Sequence, residues 1–342
     1  MDQLDIEQTD TLIRYLRQQG HIAPDEEPVC RVLSGGVSNR AVWVARPSGE
    51  EWVIKQALAK LRVAVDWFSS PTRIHREALG LRYLAELAPP GSIPGLVFED
   101  EQNHILAMQA VPQPHDNWKQ LLLQGRLEPV HVTRFGVLLG TIHRAAFERR
   151  AGLEPLFADR SFFETLRLEP YYRFTAAQAP LAARFLQALI EETLARSITL
   201  VHGDYSPKNI LLYQGRMLLL DHEVIHWGDP AFDLGFSLAH LLSKAHHMTA
   251  RRADFADAAR HYWRTYRESI GQPAWAADLE PCVVRHTLGC LLARVAGRSA
   301  LEYLDPAERA RQRSAVLDLM AAPSENLDGL INGFLSNLSR PY

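Results

Sequence analysis

Apolar and polar positions change their period twice along this chain. Residues 9–19 carry Leu12, Ile13 and Leu16 at helical spacing. Thr9 or Asp10 can cap them and Gly20 can stop them, which predicts a first helix. From Val29 the pattern turns to short β-type runs, VCRVL, RAVWVAR and EEWVIKQ. SGGVSN (residues 34–39) and PSGE separate them, both turn compositions, and PSGE reads as a hairpin. Residues 71–87 return to helical spacing, with Ala78, Leu81, Leu84 and Leu87 on one face, and Pro89-Pro90-Gly91 ends them. PGLVFED and HILAMQAV predict two further strands. After Pro112 and Pro114 helical periodicity takes over, at residues 130–149, 176–195, 253–270, 280–296 and 306–319. Asp305-Pro306 opens the last as N-cap and N1. In this half β structure is expected only within residues 199–221. The pattern thus predicts an α+β chain. A small β-rich lobe, residues 1–112, holds the sheet with two helices, and a large helical lobe fills residues 113–342.

Composition narrows the setting. With 342 residues, 47% hydrophobic and 23% charged, the chain has ample material for the cores of two lobes. A formal net charge of −3 argues against a nucleic-acid partner or an anionic membrane surface. No apolar run approaches the roughly 18 residues of a membrane span. The opening MDQLDIEQTD lacks the basic and apolar regions of a signal peptide. Of Cys30, Cys282 and Cys290, the last two share a helical stretch and lie about 12 Å apart along it, too far to bridge. A cytoplasmic protein is expected. A homodimer is left open.

Chemistry concentrates in residues 199–235, where Asp204, Asn209, Asp221, Glu223, Asp229 and Asp233 border the apolar runs LV, ILLY and MLLL. Carboxylates beside buried strands are costly unless they are hydrogen-bonded or hold a cation. Two chemistries compete. His222-Glu223-Val224-Ile225-His226 matches HExxH, the zinc-hydrolase pattern, with His240, His246 or His247 as a remote third ligand. That motif needs a helix. Here it ends a strand and runs into Gly228-Asp229-Pro230, where positions i and i+4 share no helical face. Phosphoryl transfer fits better, since it needs a hydroxyl-orienting carboxylate, oxygen ligands for Mg²⁺, a cation on the phosphates and a backbone cradle. Asp204 supplies the first, and Asn209, Asp221 and Glu223 supply hard oxygens. Lys55 ends the EEWVIK strand, with Glu77 in the next helix to orient it. Ser34, Gly35, Gly36, Ser38 and Asn39 lie in a turn that can aim N–H groups at phosphate.

HGDYSPKNIL, followed by LLLDHE and GDPAFDLG, resembles the aminoglycoside phosphotransferase and choline kinase superfamily, from about residue 29 to at least residue 304. In detail the chain looks most like 5-methylthioribose kinase. The resemblance rests on Lys55-Gln56-Ala57-Leu58 leading into Leu61-Arg62-Val63, on Asp221-x-Glu223, and on Arg285 before a Leu-Gly step. It departs from that family at Arg285-His286, where two arginines are usual, and in having Asn209. The resemblance implies a bilobal protein-kinase-like fold with ATP as co-substrate and Mg²⁺ as cofactor. It makes Asp204 the catalytic base or hydroxyl-orienting residue and puts Asn209 and Asp221 on Mg²⁺. Lys55, paired with Glu77, would touch the α- and β-phosphates. Residues 108–111, Gln109 and Val111 among them, would receive adenine. Glu223 is either a metal contact or a structural group, and Arg285 either a substrate ligand or half of a surface salt bridge. His202 and Asp233 are expected to brace the catalytic loop, His143 to sit in the core, and His246-His247 to lie at the surface.

The acceptor region of the late helices holds Arg285, Arg294, Arg298, Arg309, Arg311 and Arg313 against Glu302, Asp305 and Glu308. A polycationic aminoglycoside wants the opposite charge. A small hydroxylated acceptor, neutral or anionic and methylthioribose-like, is therefore expected. Aminoglycoside O-phosphotransfer is the alternative, and a catalytically silent nucleotide-binding protein is the alternative of another class.

Overall fold

Alternation along the early strands decides which side of the first sheet each helix covers. The computed structural model describes residues 4–34, 36, 38–62 and 67–340. After helix α1 (Thr9–Gln18) come strands β1 (Val29–Val32), β2 (Asn39–Ala45) and β3 (Glu51–Ala57). Helix α2 (Arg73–Leu87) and strands β4 (Leu96–Asp100) and β5 (Ile105–Gln109) follow. The five strands form one antiparallel sheet in the order β1-β2-β3-β5-β4. Ala45 faces Glu51 across the PSGE turn, so the expected hairpin is present. Val42, Val44, Trp52, Ile54, Ile105 and Ala107 point to one face and pack on Leu12, Tyr15 and Leu16 of α1. Ala57, Leu106 and Met108 point to the other, against Ile74, Ala78 and Leu81 of α2. The last turn of α2 leaves the sheet, and Leu84 and Leu87 enter the large core of the helical part.

That part begins with β6 (Asp116–Asn117), α3 (Trp118–Leu123), α4 (Pro129–Glu148) and α5 (Arg150–Phe157). Next, α6 (Ser161–Phe163) runs through a π-helical stretch, Glu164–Arg173, into α7 (Phe174–Gln178), and α8 (Ala183–Ala195) follows. Strands β7 (Thr199–Val201) and β10 (His226–Gly228) pair, while β8 (Ile210–Tyr213) lies between β6 and β9 (Arg216–Leu219). Helices α9 (Ala231–His247), α10 (Arg252–Ile270), α11 (Leu279–Ala296), α12 (Pro306–Ala321) and α13 (Leu327–Leu338) complete the chain. Among the described residues no helix is long and apolar enough to cross a membrane. All three cysteines are free thiols.

The sequence pattern misses α3 and α13, and three further features for a physical reason each. Helix α9 is buried on every side from Ala231 to His246, so it shows no one-sided apolar stripe to read. Pro155 and Pro170 punctuate residues 150–178, which nonetheless are helical on both sides of a break at 158–160, and the helix expected at 176–195 is broken at Ala179-Pro180. Strands β6 and β10 fall outside 199–221, because each needs only two or three residues to pair. At the start of α1 the cap position is Gln8, not Thr9 or Asp10, and it makes no side-chain cap. Asp305 does cap α12, in a reciprocal box with Glu308.

Gly235 lets α9 and α11 touch, since a Cβ there would lie 2.6 Å from the His286 carbonyl carbon and 2.7 Å from Thr287 N. Gly235→Ala is expected to lose about 1–3 kcal/mol in urea unfolding. Gly152→Ala, in helix α5 with nothing within 4 Å, is expected to hold or gain stability. Equal effects would refute this close-packing argument.

Candidate active site

Three charged groups meet where the sheet faces the helical part. Lys55, on β3, extends its Nζ to Glu77 Oε1 of α2 at 2.6 Å and to Asp221 Oδ1 at 3.5 Å. Glu77 is fully buried. Burial works against the Lys55 charge, but Glu77 and Asp221 outweigh it and raise the ammonium above its ordinary range. Burial, with Asp221 and Glu223 nearby, pushes Glu77 up to about 7 against the pull of Lys55.

The catalytic-loop candidate follows β7. Its backbone is fixed by Asp233, whose carboxylate accepts from His202 N at 2.7 Å and Gly203 N at 2.8 Å and contacts His143 Nε2 at 3.3 Å. Gly203 has φ +77°, and a Cβ there would meet Val224 Cγ2 at 2.9 Å, so only glycine lets this loop lie against the next. Both Asp204 oxygens are engaged. Arg167 Nη2 pairs with Oδ1 at 3.0 Å, and Asn209 Nδ2 donates to Oδ2 at 2.7 Å. Arg167 comes from the π-helical stretch and also donates to Gly203 O at 2.7 Å. Burial opposes its charge, and Asp204 more than restores it.

Asp221 sits in the left-handed region at φ +69°, a conformation costly for a side-chain-bearing residue and common at sites. Although burial acts the other way, Lys55, Lys208 and Arg167 hold its carboxyl well below the usual carboxylate range. Glu223 Oε2 accepts from Arg73 Nε at 3.1 Å and Asn39 Nδ2 at 3.3 Å. Arg73 is fully buried and also donates to the carbonyls of Ser38, Leu58, Ser69 and Ser70. Residues 221–225 are not helical. His222 turns to His202 Nε2 at 3.1 Å, while His226 contacts Val224 O and stacks on Phe163. The two HExxH histidines do not converge. Among the described residues no three His, Cys, Asp or Glu side chains are grouped to hold a metal.

The oxygens fit a hard cation that takes its other ligands from phosphate and water. Asn209 commits Nδ2 to Asp204, which leaves Oδ1 as its donor beside the Asp221 carboxylate.

One cavity of about 420 Å³ joins these groups. It is lined by Ser34, Gly36, Ser38 and Asn39, by Lys55, by Met108 to Val111, and by Asp204, Asn209, Asp221 and Glu223. Gly35, and Val63 of the resemblance, lie outside the described residues. Arg285 is not brought to the cavity; it binds Glu192 through Nε at 2.9 Å and Nη2 at 2.5 Å. His246, expected at the surface, is buried against Glu308 O at 2.9 Å, because α12 packs over the end of α9. The sequence pattern misses Arg73, Arg167 and Tyr171, offers His240 only as a remote zinc ligand, and takes Arg294 only as one arginine among many. No local motif marks them.

The sequence profile of the phosphotransferase enzyme family matches residues 29–279. The chain belongs to this family. A methylthioribose kinase of Pectobacterium atrosepticum is 23% identical over 261 residues, 68% of this chain and 64% of that protein. The chain therefore spans less than two thirds of that relative's length. Among solved structures, an amicoumacin kinase in complex with AMP-PNP, Ca²⁺ and Ami aligns with a TM-score of 0.60 at 14% identity, over 93% of this chain and 95% of the other. A Plasmodium vivax ethanolamine kinase aligns at 0.56 and 11% identity, over 99% and 90%. At such identities the likeness is one of fold, and it is the protein-kinase-like fold that the sequence motifs imply.

Asp229 and Asp233 are buried and Asp221 is half-buried, yet their partners hold all three carboxyls below their ordinary value. For Asp233 the depression comes from His143 and the His202 amide, against burial. A depressed folded-state pKa gives stability that is present above the unfolded value near 3.9 and lost as pH falls through the folded one. The urea midpoint should therefore fall steeply from about pH 5 downward. In Asp233→Asn the unfolding free energy should start lower, by about 1–3 kcal/mol, and fall less steeply with pH. Parallel pH profiles would contradict this role.

Proposed function

We propose that this phosphotransferase-family protein is an ATP- and Mg²⁺-dependent kinase that phosphorylates a hydroxyl of a small sugar-like molecule. One observation carries the reading. Asp204, clamped by Arg167 and Asn209, shares a cavity with the Lys55–Glu77 pair and the Asp221 carboxylate. These are the positioning and electrostatic parts that phosphoryl transfer needs.

In this reading the backbone of Met108 to Val111 receives the base, and Lys55, oriented by Glu77, neutralises the α- and β-phosphates. Asn209 Oδ1 and the Asp221 carboxylate hold Mg²⁺, which when bound withdraws charge from the phosphate oxygens. Asp204 orients the acceptor hydroxyl and takes its proton. The acceptor oxygen forms a bond to the γ-phosphorus, the bond to the β–γ bridging oxygen breaks, and ADP leaves. Arg167 and Asn209 are positioning residues that fix the Asp204 carboxylate plane. Because Arg73 and Asn39 occupy Glu223 Oε2, we assign Glu223 to bracing the Ser38–Asn39 loop against the metal site. The methylthioribose kinase relatives support a sugar-like acceptor scaffold. The full set of Lys55, Asp204, Asn209 and Asp221 argues against a catalytically silent protein.

Asp204→Ala is expected to lower kcat by about 10²- to 10⁴-fold while AMP-PNP binds as to the unaltered protein. ADP release in a coupled assay and calorimetric titration check the two halves. Unchanged turnover would remove Asp204 from the mechanism.

A further inference from the structure

The end of the cavity away from the sheet has a charge pattern that phosphoryl transfer alone does not explain. Its wall is made by Phe236 and His240 of α9, Arg294 of α11 and Ser299, with Arg167 and Tyr171 beside Asp204. Arg294 is only 8% exposed. Its Nη1 donates to Tyr171 Oη at 2.8 Å and to Ser299 O and Oγ at 2.5 and 3.0 Å, while its buried Nε has no partner. His240 is buried with Nδ1 unpartnered. One turn further along α9, Lys244 is fully buried. Its Nζ donates to the His240 carbonyl at 3.3 Å and lies 5.4 Å from the Tyr303 ring.

Every other buried cation of the site has its carboxylate: Lys55 has Glu77, Arg73 has Glu223 and Arg167 has Asp204. Among the described residues Arg294 and Lys244 are in no ion pair. Glu302, the carboxylate that acts on Lys244 at a distance, is paired with Lys119. The charges that bear on His240, from Arg294, Lys244, Lys119 and Lys208, are all positive. Burial, then Lys119 and Arg294, pulls the Lys244 ammonium down to about 7. Buried cations without a counter-charge are costly, and a site keeps them where a ligand brings that charge.

We propose that this end of the cavity is an anion subsite, so that the acceptor of the proposed kinase carries a carboxylate or a phosphate ester. The subsite rests on the kinase reading for its role. The anionic group docks on the Nε edge of Arg294 and on His240, with Lys244 behind, while the acceptor hydroxyl faces Asp204. Arginine suits the task because its planar fork matches both oxyanions. The arrangement also disfavours a polycationic acceptor, since a cation here would meet three basic groups.

Matched probes test it: D-glucose, D-gluconate, D-glucose 6-phosphate and D-glucosamine, titrated calorimetrically into protein holding AMP-PNP and Mg²⁺. The acid, the phosphate ester or both should bind more tightly than glucose, and whichever does identifies the anion. Arg294→Gln should weaken that binding by about 10- to 100-fold and leave the AMP-PNP affinity unchanged. Because Arg294 also holds Tyr171 and Ser299, Lys244→Met is the second variant. It should weaken anion binding and raise the melting temperature of the free protein, since a buried amine with no carboxylate partner gives way to an apolar side chain. Anionic probes that bind no better than glucose, or a lower melting temperature in Lys244→Met, overturn the subsite. An anionic probe that binds in an Arg294-dependent way, with no phosphorylation of any acceptor when ATP is supplied, counts against the kinase reading and leaves the subsite standing.

Discussion

The buried pair between Lys55 and Glu77 is the constraint on which the arrangement of the site depends. It joins the middle strand of the sheet to α2, and through Asp221 it reaches the loop after β9. A single face of α2 does most of this work, because Arg73, Glu77 and Gly80 follow the i, i+4, i+7 spacing. Arg73 anchors Glu223 and the Ser38 carbonyl, Glu77 anchors Lys55, and at Gly80 a Cβ would come within 2.8 Å of His222. The last turn of the same helix places Leu84 and Leu87 in the large helical core. The helix that orients Lys55 is thus also the one that fixes the sheet on the rest of the molecule.

Charge is distributed unevenly between the two ends of the cavity. Near the sheet, Lys55, Arg73 and Arg167 each meet a carboxylate, and Asp221 is held ionised in a strained backbone conformation. At the far end that pairing is missing, with Arg294, His240 and Lys244 lacking a carboxylate among the described residues. Between them lies Asp204, neutralised by Arg167. Each end is incomplete in the sense that its ligand would correct.

The stretch from β7 to α9 was legible because its polar residues stand between apolar strands, where an acidic group needs a reason. Lys55 and Glu77 were legible as a strand-end lysine followed by a helix. What escaped the sequence was pairing across distance. Arg73 meets Glu223 150 positions away, and Arg167 meets Asp204 37 positions away; neither arginine stands out among 37 Lys and Arg. Arg167 also lies in a proline-punctuated segment whose helical form depends on tertiary packing. Arg285 looked like a ligand by position, but Glu192 neutralises it, while Arg294, two and a half turns on, faces the cavity. Helix α9 shows the same limit for the fold, since a helix buried all round carries no stripe.

The most direct test of the central claim is the affinity of AMP-PNP, by calorimetry with and without Mg²⁺, for the unaltered protein and for Lys55→Met and Asp204→Asn. The account predicts Mg²⁺-dependent binding that weakens at least about tenfold in Lys55→Met, since a charged phosphate contact is lost, and persists in Asp204→Asn. Binding that ignores both Mg²⁺ and the loss of Lys55 would contradict it.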